Sequence, residues 1–275
     1  MHRHALKMMQ IALVLLFIIF AFFPFYMMLK NSLEPYAKIV SLDFHFLPGS
    51  GFYFENYLHI FSHYPVIRWL GNSLLVSGTA IAANLVFDTA AAFALSRLQF
   101  KGRSVMFLLI LSTLIIPIHV IIVPLYMLIV NMGWLNTYWG LIVPVMISPF
   151  GIFLLRQSFV QIPKELDEAA LIDGTSRLGV LYRIILPNSL PALGTLVVIK
   201  FMWIWGDYMW PSLIIQNEKL RTLPVGIASF QNSGGTMAWD MVITGSVIAV
   251  VPIIIMFVYL QKYFISGLTE GAVKG

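Results

Sequence analysis

Residues 160–189 read VQIPKELDEAALIDGTSRLGVLYRIILPNS, a polar, turn-bearing stretch set between two apolar runs, Tyr138 to Phe159 and Leu190 to Ile215. Each run is long enough to cross a hydrocarbon core of ~30 Å as a helix rising ~1.5 Å per residue. Four more runs lie further out in both directions: Met8 to Leu29, Leu70 to Leu95, Val105 to Val130 and Met241 to Phe264. The reading is an all-α, polytopic membrane protein with six transmembrane helices, residues 1–275 forming a single transmembrane domain. Prolines inside the runs, among them Pro24, Pro117, Pro124, Pro144 and Pro252, predict kinks rather than ends, since neighbouring helices can satisfy the backbone groups a proline frees.

Composition agrees. Of the 275 residues, 59% are hydrophobic and only 11% charged, with a mean hydropathy of +0.87, far from the averages of water-soluble chains. The net charge of +5 is scattered among apolar runs instead of gathered on a stripe, so nucleic acid is not an expected partner. Cysteine is absent, which excludes disulfides, thiolate metal sites and cysteine nucleophiles. Arg3 and Lys7 precede the first run, which ends at Lys30-Asn31-Ser32 without a small-residue cleavage site. It is therefore read as a retained first helix, not a signal peptide.

The distribution of Lys and Arg sets the expected orientation. With the N-terminus inside, eleven fall on the cytoplasmic side, five outside, and Lys200 within a span. Both termini are thus expected in the cytoplasm. Trp69, Trp134, Trp139, Trp210 and Trp239 then fall at or beyond the outer boundary, where aromatic belts form. Three outer segments result. Residues 31–69 carry the turn signal Pro48-Gly49-Ser50-Gly51 and a short interfacial stretch from Phe52 to Tyr64; residues 131–137 are a brief turn; residues 216–240 carry Gln231-Asn232-Ser233-Gly234-Gly235-Thr236. On the inner side only 160–189 is sizeable.

Within that inner loop, Pro163, Glu165 and Asp167 suit a helix start, by preset φ and by interaction of carboxylates with the macrodipole. Asp173-Gly174 suits its end, glycine being free to turn left-handed. A second helix is expected from about Ser176 to Pro187. Two short helices around a tight turn make a projecting knob.

The loop resembles the EAA loop of permease subunits in binding-protein-dependent ABC importers: Glu168-Ala169-Ala170, three residues, Gly174, nine residues, Ile184, one residue, Leu186-Pro187. Seven specified residues at fixed offsets make that resemblance specific. Trp205-Gly206-Asp207-Tyr208-Met209-Trp210-Pro211, Thr222-Leu223-Pro224-Val225-Gly226 and the ending Gln261 to Gly275 look like carbohydrate-type permeases, in particular the smaller permease of maltose-type importers. The resemblance implies a non-catalytic subunit in a bacterial inner membrane that passes a sugar, oligosaccharide or related polyol by alternating access. It also implies the partners: a second homologous permease, two ABC ATPase subunits carrying ATP and Mg, and an extracytoplasmic solute-binding protein. Residues 160–189, with Asp173 in the turn, would dock into the ATPase. Ser233, Gly234 and Gly235 would contact the binding protein, and the glycine-bearing tail from Gly267 would reach between the ATPase subunits.

No phosphate-binding loop of the form GxxxxGK[ST] is present, and no polar segment approaches the size of a nucleotide domain, ~100 residues or more. No cofactor is expected in this chain. Ionisable residues inside spans, Asp88, His119, Lys200 and Asp207, are costly in lipid and so should face the bundle or a pathway. Asp88 and Lys200 are placed to pair; a structural ion pair, a partner contact and a substrate contact are all compatible with them. Trp203, Trp205, Tyr208 and Trp210 suit either stacking on a sugar or packing near the boundary. His59 and His63 share a helix face without further ligands, so no metal is assigned. A secondary transporter driven by an ion gradient is the alternative class. It usually shows internal repeats, and none is evident here.

Overall fold

The computed structural model describes residues 2–41, 45–49, 51–230 and 235–270, with side chains described from residue 6 to residue 262 of those ranges. Along the chain run α1 (His2–Ser32), α2 (Tyr36–Ile39), α3 (Glu55–His63), α4 (Val66–Arg97), α5 (Arg103–Thr113), α6 (Ile118–Asn131) and α7 (Tyr138–Ile142). There follow α8 (Pro149–Gln161), α9 (Lys164–Ile172), α10 (Arg177–Asn188), α11 (Leu190–Trp205), α12 (Met209–Ile214), α13 (Leu223–Ala228) and α14 (Trp239–Glu270). No named strand occurs among the described residues.

Four stretches, Leu6–Ser32, Val66–Arg97, Tyr138–Gln161 and Trp239–Lys262, are each long and apolar enough to cross a membrane. Two more crossings exist only if bent pairs are counted: α5 with α6, bent by 98°, and α10 with α11, bent by 78°. The sequence expects one continuous helix over each of 105–130 and 190–215, kinked in the first at Pro117 and Pro124, and the structure breaks both. Pro117 has no N–H to continue α5, and it takes an extended ψ of 136° as the cap of α6. Trp205 ends α11 at Gly206, and the chain resumes as α12 only at Met209. The 138–159 run is interrupted too, by a tighter turn over Val143–Val145 and a fresh helix start at Ser148, whose hydroxyl accepts the Gly151 N–H.

The chain packs as two compact units, one formed by the chain up to Ile67 with Gly226–Pro252, the other by Arg68–Val225 with the chain from Ile253 onward. In the first, a buried polar knot closes the end of α1. Lys30 Nζ lies 3.0 Å from Glu34 Oε2, the Gly49 N–H donates to Glu34 Oε1, and Asn56 Nδ2 donates to the carbonyls of Ser32 and Glu34. Burying an ion pair is tolerable when its remaining valences are satisfied in this way. Leu58 and Phe61 of α3 remain exposed.

In the second unit one core joins Ala92, Leu155, Phe159, Leu181, Ile185 and Leu196 from α4, α8, α10 and α11. Another gathers Val76, Ala80, Ile129, Leu141, Trp210 and Ile214. Trp69 and Trp210, expected in an interfacial belt, are buried instead, at 0% and 7% exposure. Their indole N–H groups donate to the carbonyls of Glu218 and Gly140, so these rings pin chain segments together. Trp139 and Trp239 stay exposed.

Candidate functional site

The knob forms by local backbone chemistry. α9 starts after Pro163, with Glu165 and Asp167 in its first turn, and ends in a left-handed Gly174 at φ 80°. Two orphan carbonyls of the last turn are closed by main-chain donors: the Gly174 N–H reaches Leu171 O at 3.1 Å and the Thr175 N–H reaches Ala170 O at 2.9 Å. This is the paired 5→2 and 6→1 closure of a Schellman turn. Ser176 then caps α10, accepting the Gly179 N–H at 3.1 Å. The second helix ends at Asn188, one residue beyond the Pro187 stop that the sequence expects. The turn over Leu181–Ile185 widens to π geometry, and the helix runs on to Asn188, because a wide turn gives room to a residue with no donor and a bulky ring.

Glu168, Ala169, Asp173 and Gly174 are exposed, while Ala170, Ile184 and Leu186 are half-buried and Pro187 is exposed. Ala170, Ile184 and Leu186 pack against the core below. Exposed apolar side chains crown the knob: Ile172 at 85%, with Leu171 and Leu178 beside it. The motif residues thus divide into a surface set and a set that seats the knob.

Arg97, at the end of α4, braces the knob from below. Its Nε lies 2.8 Å from Asp167 Oδ2, with side chains only 5% and 14% exposed, and its Nη2 donates to the Ile162 carbonyl at 2.8 Å. Burial pushes the Asp167 carboxyl above its ordinary value; Arg97 pulls it back without cancelling the rise, and Glu168 adds to it. A cleft of about 300 Å³ opens beside this pair, bordered by Gln99, Arg103, Lys164 and Arg177. Sequence reasoning passed over Arg97 and the bracing role of Asp167. The available signal was an arginine ending an apolar run, a common partner for an acidic loop.

Deeper in the same unit lies a cavity of about 530 Å³, walled by the α5–α6 break, the start of α8, α11 and the segment through α12. Lys200 and Asp207 both line it, together with Trp203 and Trp210, two of the four aromatic residues able to stack on a sugar, and with Thr222, for which the sequence offered no site role. The expected Asp88–Lys200 ion pair is not formed. Asp88, fully buried on α4, accepts the Ser148 N–H at 2.8 Å through Oδ1 and so holds the start of α8, where helix N–H groups favour an anion. A Cβ on Gly151 would stand 2.1 Å from Asp88 Oδ2, so only glycine admits this approach. Lys200 is near enough to attract Asp88 without touching it.

Trp205 is buried and stacks on Phe201, ring centroids 5.2 Å apart, while Tyr208 is exposed; neither lines the cavity. Gly235 takes a left-handed φ of 77°, and Ser233 and Gly234 lie outside the described residues, as does the tail beyond Glu270. His59 and His63 stack at 4.2 Å. Among the described residues no three His, Asp or Glu side chains gather as a metal ion would require.

The family described as binding-protein-dependent transport system inner membrane component matches residues 89–270, from the middle of α4 to the end of α14. The chain belongs to that family. Among relatives of this inner membrane component is the arabinooligosaccharides transport system permease protein AraQ of Bacillus subtilis (strain 168), 32% identical over 279 residues, 100% of this chain and 99% of the relative. Another is the trehalose/maltose transport system permease protein MalG of Thermococcus litoralis, 37% identical over 227 residues, 80% of this chain and 81% of that one. In fold, the component resembles a chain in the crystal structure of a bacterial ABC transporter involved in the import of the acidic polysaccharide alginate. The TM-score is 0.82 at 22% identity, over 95% of this chain and 97% of the other. It is accordingly a multi-pass membrane protein and a permease subunit of an ABC-type importer.

Proposed function

We propose that this permease passes a sugar, oligosaccharide or related polyol inward across a bacterial inner membrane, both its termini cytoplasmic, as one half of a pathway completed by a second homologous permease. Two separate ABC ATPase subunits hydrolyse ATP with Mg, and an extracytoplasmic solute-binding protein delivers the solute. The observation that carries this reading is the knob at 160–189: a backbone-locked turn at Gly174, an exposed Glu168-Ala169 pair and an apolar crown, all braced on α4 through Arg97 and Asp167. Small side chains allow close approach, and an exposed carboxylate offers a charge-assisted contact to a basic partner. Because α10 runs into α11 through one core, a push on the knob reaches a membrane-crossing helix. Permease relatives of arabinooligosaccharide and trehalose/maltose systems support the substrate class. A binding-protein contact through Ser233, Gly234 and Gly235, and a tail inserted between the ATPases, belong to the same proposal.

Purification in mild detergent tests the assembly: an ATPase and a second permease should co-elute, and elution of this chain alone would refute it. Gly174→Val tests the coupling. A β-branched residue at φ 80° is strained by ~1–3 kcal/mol, so transport should fall more than about tenfold while the protein still inserts. Transport at the wild-type rate would remove the turn from the mechanism.

A further inference from the structure

The second cavity carries more than the permease reading requires. One polar group in its wall, the Thr222 hydroxyl, is buried and unanswered, and a second, the Lys200 ammonium, borders the cavity without a hydrogen bond. Lys200 is 7% exposed and has no hydrogen-bond acceptor among the described residues; its Nζ sits 5.6 Å from the Trp203 ring centroid. Thr222 is 4% exposed and its hydroxyl has no partner either. Buried donors are normally paired, because leaving one unpaired costs its full desolvation. Opposite them, Asp207 holds the Trp210 N–H with Oδ1 and retains acceptor capacity, and Trp203 lies half-open beside Phe150, ring centroids 5.3 Å apart.

We infer that this cavity is a passage subsite for a neutral sugar ring, with Trp203 as platform, Lys200 and Thr222 as donors and Asp207 as acceptor. The assignment rests on the importer reading and names the residues that meet its solute. Ammonium is a donor only and carboxylate an acceptor only, whereas a sugar hydroxyl is both. One polyol therefore answers Lys200 and Asp207 together while its apolar C–H face lies on the indole. Charge selects against acidic sugars. Lys200 is the one cation among the described residues lining the cavity; Asp207 lines the same wall, and Asp88 behind it already lies within the field of Lys200. A ligand carboxylate would meet that negative surplus in a poorly solvated space, where like charges repel strongly. A volume of about 530 Å³ lies within the range of ligand pockets, ~300–1,000 Å³.

The test uses the complete transporter in proteoliposomes, with binding protein and ATP, and follows uptake of labelled maltose, arabinotriose and a glucuronate-bearing disaccharide. Lys200→Met, which keeps the aliphatic stem, and Trp203→Leu, at a half-exposed ring, should each cut uptake of the neutral sugar by about tenfold. Tyr208→Phe, outside the cavity, should not. Asp207→Asn should shift the ratio of uptake towards the uronate, a change that general damage to the fold would not produce. Wild-type uptake by both Lys200→Met and Trp203→Leu would overturn the subsite alone, as would an unchanged ratio in Asp207→Asn. A wild-type complex that takes up neither neutral sugar would overturn the sugar reading and the subsite with it.

Discussion

Both bent crossings of the larger unit break near a proline, but the two breaks are held in opposite ways. Between α5 and α6 the chain turns through Leu114-Ile115-Ile116 on successive i→i+3 bonds, from the N–H groups of those residues to Leu111, Ser112 and Thr113. All three side chains are exposed, Ile115 at 81%. Between α10 and α11 the break falls at Ser189, which is fully buried, flanked by Ile185 and Ala192 in a shared core. The first bend is held by its own backbone and by Pro117. The second is held by what surrounds it. A bend gripped by a core carries force from one helix into the next, whereas a bend free on its sides can change its angle at little cost. That difference fits a rigid lever on the knob side and a yielding wall beside the cavity.

Trimming one isoleucine at each bend is the strongest way to break this contrast. Ile185→Ala, at a residue with 0% exposure, should lower unfolding stability in detergent by about 2–5 kcal/mol through lost transfer and cavity formation. Ile115→Ala should change it by less than about 0.5 kcal/mol. Similar losses at the two sites would mean that the α5–α6 bend is gripped as well. Gly151→Ala probes the buried junction between α4 and α8. Its new methyl meets the Asp88 carboxylate, and a cost of about 1–3 kcal/mol is expected, the usual range for overpacking. A melting temperature equal to wild type would show that Asp88 can step aside.

Ser189→Ala sharpens the comparison from the other side. The Ser189 hydroxyl is buried without a partner, so removing it should leave stability unchanged or raise it by up to about 1 kcal/mol. A clear loss would reveal a hydrogen bond made by that hydroxyl.

The smallest effect expected is at the brace. Asp167 has its carboxyl raised by burial, so the folded state holds its proton more tightly than the unfolded chain does. The stability this contributes is present below the ordinary carboxylate value of 3.8 and is lost as pH rises through the raised one. Asp167→Asn, neutral throughout, should therefore match wild type in acid and gain slightly on it towards neutral pH. Melting temperatures of the two proteins across that range decide it, and an Asn variant that falls behind as pH rises would show that attraction to Arg97 outweighs burial.

What the sequence disclosed and what it withheld follow from the reach of the forces involved. α9 was legible at both ends because Pro163 and Gly174 act on their own backbone. The widened turn over Leu181–Ile185 was not, since it depends on Leu181 and Ile185 being held by α4, α8 and α11. Asp88 and Lys200 were found as costly charges, but which way each faces was hidden in helices apolar on all sides, where periodicity names no buried face. Trp69 and Trp210 misled for a related reason: an indole suits a membrane boundary and a core with a carbonyl to bind equally well. The bracing of Asp167 by Arg97 joins residues far apart in the chain, and no local pattern announces it.

The turn at Gly174 is closed by main-chain groups alone, Gly174 and Thr175 donating to Leu171 and Ala170. No side chain on the outer face of the knob is engaged in keeping its shape there. Leu171, Ile172 and Leu178 can then be exchanged one by one without loosening the turn, so under the proposed docking the contour offered to a motor subunit is free to drift through descent while the joint behind it stays the same. Under that docking, a permease built this way can be refitted to a different engine by rewriting a few surface letters, provided that the left-handed Gly174 is kept.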